Sequence, residues 1–133
     1  MNKLTRIVLM SAIAFISLAV PLSAAQLTDQ DKQFLAAYDK LHHALVADDL
    51  AGVKKAASDL GALGAEAANS KSLDEARSAF TRVSAEAVKL TAGQSGYYVM
   101  HCPMKKADWV QTNSKVENPY GGKEMLSCGE VKK

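Results

Sequence analysis

The residues best suited to chemistry lie together in the last quarter of the chain, from Tyr97 to Glu130. This stretch holds both cysteines, the only tryptophan, one of three histidines and every methionine after residue 25. Packing alone would also place methionine among the preceding residues, because its flexible side chain fills gaps in any apolar core. Thiolate and thioether sulfurs are the donors that select soft ions such as Cu(I). The clustering therefore allows a metal site, whose candidate ligands are Cys102, Met104, Met125 and Cys128, with His101 in reserve.

The residues around Cys102 predict how these donors are presented. Pro103 disfavours a helical conformation at Cys102, so we expect the chain to be extended there. Side chains alternate along an extended chain, which would place Met104 on the same side as Cys102 and His101 on the other side. Met100, two residues before Cys102, would join the sulfur-bearing side.

A turn is predicted at residues 118–122, which read Asn-Pro-Tyr-Gly-Gly. Such a turn can bring Met125 and Cys128 back toward Cys102. Met125 and Cys128 would share a face only if the residues between them form a helical turn, because in a strand they would point apart.

Two cysteines in an exported chain also predict a disulfide, because oxidising compartments favour paired thiols. Closing a Cys102–Cys128 loop would be worth about 3–4 kcal/mol, and the methionines would then be core residues of the segment. Reduced thiols would instead be free to bind Cu(I), or to bind Zn(II) together with His101 and one further ligand. The donor set favours Cu(I) over Zn(II). A disulfide without metal, a dithiolate site, and a methionine–histidine copper site beside an intact disulfide all remain open.

The segment contains longer motifs, namely Tyr-Val-Met-His-Cys-Pro-Met at 98–104, Trp109, and Asn-Pro-Tyr-Gly-Gly-Lys-Glu-Met-Leu-Ser-Cys-Gly-Glu-Val at 118–131. These motifs resemble the C-terminal signature of an uncharacterised family of exported bacterial proteins, domain of unknown function 3347. Members are sometimes found beside, or fused to, periplasmic adaptor subunits of copper and heavy-metal efflux pumps. The resemblance covers the whole mature chain in layout, an alanine-rich helical part followed by the signature.

The resemblance implies handling of a heavy metal, above all copper, in the periplasm. It also implies a periplasmic efflux adaptor or another envelope protein as the partner. By motif position, the residues carried over are Cys102, Met104, Met125 and Cys128.

Residues 27–92 contain no proline and have the pattern of helices. Thr28, the pair Asp48-Asp49 and Ser72 are expected to cap three of them, Ser72 as part of a capping box with Glu75. Apolar residues recur at spacings of three and four, and the short connections make successive helices antiparallel. We therefore predict one all-α domain, an antiparallel three- to four-helix up-and-down bundle (26–93) with a small irregular cysteine-containing cap (94–133).

Residues 1–25 have the pattern of an export signal, in which Lys3 and Arg6 precede the apolar run Ile7–Val20 and small residues follow up to Ala25. The run is shorter than the roughly 20 residues that span a bilayer. We expect cleavage after Ala25, a periplasmic location and no membrane span in the mature chain. The full chain has 16 basic and 14 acidic residues, and losing Lys3 and Arg6 balances them. This balance disfavours nucleic acid or an anionic membrane as a partner.

The helices offer few reactive side chains. His42 and His43 follow Asp39 by three and four positions, a spacing that allows two ligands on one helix face but only two. A solvated His43 and a half-buried His42 are the simpler expectation. No phosphate loop, Cys-x-x-Cys motif or catalytic constellation occurs, so we expect no enzymatic activity. The two main functions that remain are heavy-metal binding and a disulfide-stapled interaction module of an envelope or efflux system that binds no metal. A thiol-active redox protein is a third.

Overall fold

The computed structural model describes residues 24–132, and the predicted signal peptide (residues 1–25) lies almost wholly outside this range. Within it, helices come first and a small sheet last. The helices are α1 (Asp29–Val46), α2 (Leu50–Ser58), α3 (Ala65–Asn69) and α4 (Leu73–Thr91), and the strands are β1 (Tyr98–Cys102), β2 (Ala107–Gln111) and β3 (Glu130–Val131). No helix in residues 24–132 is long and apolar enough to cross a membrane.

The three predicted N-caps are confirmed, whereas the capping box predicted at Ser72 is only half formed, because the Glu75 carboxylate accepts from the amide of Lys71 instead of that of Ser72. In each, a side chain accepts a hydrogen bond from a backbone amide of the first turn, which has no partner within the helix. Thr28 caps α1 in a capping box, because Asp31 accepts a bond of 2.8 Å from the Thr28 amide in return. Asp49 caps α2, and Ser72 caps α4. Local sequence signals therefore determine where these helices begin.

Glycine divides the predicted second helix into two short ones. Gly61 follows α2 with φ at +59°, a conformation that glycine adopts without steric strain. A 3-10 turn over Gly61–Gly64 then leads into α3. At Gly64 a Cβ atom would overlap the carbonyl oxygen of Ala57, so glycine allows these two backbone segments to pack closely. The resulting number of helices agrees with the predicted three to four.

The all-α prediction is wrong, because the C-terminal segment forms a sheet rather than an irregular cap. β1 and β2 make an antiparallel hairpin in which Met100 pairs with Trp109 and Cys102 with Ala107. β3 pairs antiparallel with the other side of β1, giving the strand order β2–β1–β3. The fold is therefore α+β. The two-residue strand β3 has no periodicity of its own to detect, and it forms only because β1 offers it backbone partners.

Three hydroxyl groups bond to the outer edge of β2, two of them from helices and one from the turn at residues 118–122. Tyr38 of α1 accepts a bond of 2.9 Å from the backbone amide of Val110. Ser84 of α4 and Tyr120 both donate to the carbonyl oxygen of Asp108 at 2.8 Å. An edge strand otherwise presents unpaired backbone groups, and burial without partners would be costly. These bonds give partners to the backbone groups of Asp108 and Val110 on the edge strand, and they fix the sheet against the helices.

The core lies between the helices and the inner face of the sheet. The ring of Phe80 in α4 packs against Tyr38 and Tyr120, with centroid distances of 5.3 and 5.5 Å. Trp109 is completely buried and meets Tyr120 edge-on at 6.2 Å. Met100 is also completely buried. Burial of side chains of this size contributes about 1.5–3 kcal/mol each and joins the two halves of the chain into one core.

Candidate functional site

Cys102 and Cys128, hereafter the thiol pair, converge although 26 positions separate them. Cys102 ends β1 and is completely buried, whereas Cys128 lies just before β3 and is half-buried. Both are free thiols, and their Sγ atoms are 3.2 Å apart. A disulfide needs roughly 2.05 Å, and two thiolates about 2.3 Å from a tetrahedral ion would lie about 3.8 Å apart. The pair can therefore reach either arrangement through a shift of about 1 Å.

Asn118 holds the second cysteine in place. Its side chain is completely buried, and its Nδ2 donates to the carbonyl oxygen of Cys128 at 2.6 Å. Its backbone amide donates to the carbonyl oxygen of Leu126 at 2.8 Å, and its Oδ1 accepts from the amide of Tyr120 at 2.8 Å. The sequence predicts only a turn at Asn118. An Asn-Pro pair ten residues before the second cysteine is the signal that could have indicated the wider role.

The Asn-Pro-Tyr-Gly-Gly turn is fixed to the helices by Arg77 of α4. Its Nε donates to the carbonyl oxygen of Pro119 at 3.1 Å, and its guanidinium pairs with the carboxylate of Asp48. Asp48 also accepts a bond of 3.3 Å from the amide of Lys123. The side chain of Arg77 is only 12% exposed, so this connection is largely shielded from water. The helical part therefore positions the segment that carries the second cysteine.

The environment makes the two thiols unequal. Burial alone would raise the pKa of Cys102, but hydrogen bonds to its sulfur outweigh burial and lower the pKa. The donors are the Lys105 amide, the Cys128 thiol, the Asn118 side chain and the Met104 amide. The bond to Cys102 raises the pKa of the Cys128 thiol, and burial adds to that effect. Cys102 is therefore the first to become a thiolate, which is the form that binds metals and acts as a nucleophile.

The three methionines of the segment have different surroundings. Met100 is completely buried and belongs to the core, whereas Met104 is 75% exposed. Met125 is half-buried at the end of a 3-10 turn, and its carbonyl oxygen accepts the amide of Cys128 at 2.9 Å. Its side chain lies against Gly121, where a Cβ atom would exclude it. A turn closed by the bond from the Cys128 amide to the Met125 carbonyl therefore links the two residues, although the 3-10 helix itself ends at Met125.

His101 lies on the opposite face of β1 from Cys102, as alternation along a strand predicts. Its Nδ1 is 2.7 Å from Oδ1 of Asp108, and Nζ of Lys132 is 2.5 Å from Oδ2 of the same carboxylate. Burial acts to raise the pKa of Asp108, but its bonds to Lys132 and His101 outweigh this and lower the pKa. His101 therefore belongs to a charged surface network and does not join the thiol pair.

A second set of potential ligands, hereafter the α1 group, consists of Asp39, His42 and His43. One donor atom from each lies within 4.8 Å of the other two, so the group could hold a metal ion. None of its three residues is one of the predicted ligands. His43 is exposed as expected, whereas His42 is 1% exposed rather than half-buried. Its Nε2 lies 2.7 Å from the carbonyl oxygen of Glu117. Burial lowers the pKa of His42, which keeps the ring neutral.

No protein-family model, curated protein or solved structure matches the chain. The thiol pair and the α1 group are the two sets of potential ligands within residues 24–132 that bear on function. The two sets differ in chemistry, since the first offers sulfur donors and the second offers nitrogen and oxygen donors.

Proposed function

We propose that the protein binds Cu(I), or a similarly soft ion, through the thiol pair and takes part in heavy-metal handling without catalysing a reaction. The observation that carries this proposal is the Sγ–Sγ distance of 3.2 Å between Cys102 and Cys128. Two or three sulfur donors satisfy Cu(I), whereas a structural zinc site needs four ligands. The turn that carries Cys128 adds one further sulfur, that of Met125, which fits the smaller coordination number.

The unequal thiols support metal binding. The lowered pKa of Cys102 makes its thiol the easier of the two to deprotonate, and metal binding requires the thiolate form. Because Cys102 is completely buried and Cys128 is half-buried, an ion would enter from the Cys128 side. Asn118, which bonds to Cys128, would hold that side in place during entry.

The other predicted ligands differ in how well they are placed to bind an ion at the thiol pair. Met125 is the best-placed thioether, because it stands on the turn that ends at Cys128. Met104 faces solvent and would have to turn inward. His101 would have to leave its bond with Asp108 and cross to the other face of β1. We therefore assign the third position to Met125 and no necessary role to Met104 or His101.

The proposal includes export to the periplasm and a partner there, a heavy-metal efflux adaptor or another envelope protein. The export-signal pattern of residues 1–25 and the motif resemblance support both parts. In an oxidising compartment the redox state of the thiol pair would control binding, since oxidation to a disulfide removes both donors.

Anaerobic titration with Cu(I) against a competing Cu(I) chelator tests the site. We expect the wild-type protein to take up one equivalent, and Cys102→Ser or Cys128→Ser to weaken binding about a hundredfold or more. Met125→Leu should weaken binding about tenfold, whereas Met104→Leu, the matched control, should leave it unchanged. Urea denaturation of each variant separates loss of a ligand from loss of the fold. Wild-type affinity in both serine variants would overturn the thiol site.

A disulfide-stapled interaction module is the second candidate, and the same convergence of the cysteines favours it. Closing the bond would stabilise the fold by about 3–4 kcal/mol in the chain-entropy model. Intact mass and thiol counting on protein isolated without reductant distinguish the two candidates. A fully oxidised pair, with no Cu(I) uptake after reduction, would favour the interaction module over the metal site.

A further inference from the structure

We infer that the α1 group is a second metal site, which binds a divalent ion such as Zn(II). Asp39, His42 and His43 stand at positions i, i+3 and i+4 of α1, and a donor atom of each lies within 4.8 Å of the others. This inference goes beyond the proposed function, because the donors are nitrogen and oxygen and no residue of the thiol pair takes part.

His42 distinguishes the group from a chance cluster on a helix surface. The residue is 1% exposed, and its Nδ1 has no hydrogen-bond partner among residues 24–132. Its Nε2 lies 2.7 Å from the carbonyl oxygen of Glu117, which can only accept, so Nε2 carries the proton and Nδ1 keeps a free lone pair. Buried polar atoms in native proteins are almost always paired. A ligand for this lone pair is therefore expected.

The hydrogen bond from His42 to the carbonyl of Glu117 is of the kind that metal-binding histidines usually make. Such histidines donate their other ring N–H to a carbonyl, a carboxylate or water, which fixes the tautomer and the direction of the ring. The carbonyl of Glu117 does this for His42. Because the ring is also buried, His42 is already held in one orientation and needs no rearrangement.

Asp39 and His43 complete the group from the solvent side. Nδ1 of His43 donates to the backbone carbonyl oxygen of Asp39 at 2.8 Å and lies 3.4 Å from Oδ2 of the same residue. The side chains of Asp39 and His43 are 45% and 56% exposed, so both can turn toward an ion, and His43 would either bind it through Nε2 or give up its bond to the carbonyl. Two imidazoles and a carboxylate, with an open side for water, suit Zn(II), and also Cu(II) or Ni(II).

Titration with Zn(II) against a chromophoric chelator tests the site in protein that carries both Cys102→Ser and Cys128→Ser, so that sulfur cannot bind the ion. We expect one equivalent to bind. In this background His43→Gln should weaken binding about tenfold or more, and Asp39→Asn severalfold. These two residues are exposed, so their replacement leaves the fold intact. His101→Gln is the matched control, because His101 also bonds to a carboxylate but lies outside the group.

Absence of Zn(II) binding in the double serine protein would overturn the site, as would equal binding by the His43→Gln and His101→Gln variants. If the double serine protein does not fold, wild-type protein oxidised at the thiol pair serves in its place. The Zn(II) titration uses protein without free thiols, and the Cu(I) titration uses proteins in which the α1 group is unchanged. Each site can therefore fail without affecting the test of the other.

Discussion

Nε2 of His42 in α1 lies 2.7 Å from the carbonyl oxygen of Glu117, across 75 positions of sequence. Glu117 directly precedes Asn118, whose side chain holds Cys128. The two candidate metal sites are therefore joined through one hydrogen bond and a short piece of backbone. Helix α1 supplies one site and helps to position the other.

Replacing His42 with leucine should destabilise the protein by about 1–3 kcal/mol, because the partly buried carbonyl of Glu117 loses its donor. Urea denaturation in the presence of a chelator measures the change without any contribution from bound metal. His43→Leu is the control, and it should change stability by no more than about 0.5 kcal/mol because His43 is exposed. Equal losses in the two variants would mean that the bond to Glu117 does not stabilise the fold.

Replacing Arg77 with alanine should destabilise the protein by about 2–3 kcal/mol. The largely buried guanidinium pairs with Asp48 and bonds to the carbonyl oxygen of Pro119. The expected loss is smaller than for a fully buried ion pair, because Asp48 is partly exposed. Arg82→Ala on the same helix is the control. Its 3.0 Å pair with Glu66 is 65% exposed on both sides, so the loss should stay below about 1 kcal/mol. Urea denaturation compares the two, and similar losses would contradict a positioning role for Arg77.

Stability should fall as pH rises from about 10 to 12, in part because of Tyr120. Burial raises its pKa to about 12 from an ordinary value of 10.0. In this window the hydroxyl is ionised in the unfolded chain and still neutral in the folded one, so the unfolded state binds fewer protons and gains stability. The decline should be shallower in Tyr120→Phe, measured by urea denaturation at several pH values.

Tyr98→Phe is the control for this pH dependence, because Tyr98 is 38% exposed. It should leave the decline unchanged. Tyr38, whose pKa burial also raises, contributes in the same direction and is present in all three proteins. A decline in Tyr120→Phe as steep as that of the wild type would show that Tyr120 is not responsible.

Replacing Gly129 with alanine should destabilise the protein by about 2 kcal/mol or more. Its φ is +151°, and a Cβ atom would lie 2.6 Å from the buried ring of Trp109 and 3.1 Å from the carbonyl oxygen of His101. The adjacent Cys128 should be displaced, so a mild oxidant should join the thiol pair more slowly. At Gly96, which has φ at +84° and open space around it, alanine should cost only about 1 kcal/mol and leave oxidation unchanged.

Much of the helical part could be predicted because its signals are local. Thr28, Asp49 and Ser72 cap the helices where the sequence indicates, since a cap depends on residues within one turn. The sheet could not be predicted in the same way. β3 is two residues long and pairs with a strand about thirty positions earlier, so its existence depends on the folded partner rather than on its own composition.

The sequence by itself determined that sulfur is concentrated in the C-terminal segment, and alternation along β1 separated His101 from Cys102. Only the tertiary structure decided which sulfurs meet. Cys102 and Cys128 converge because Asn118, Arg77 and His42 hold the returning chain, and Met104 faces solvent because β1 has already ended before it. The burial of His42 was decided in the same way, since a side chain becomes buried only when distant segments pack over it.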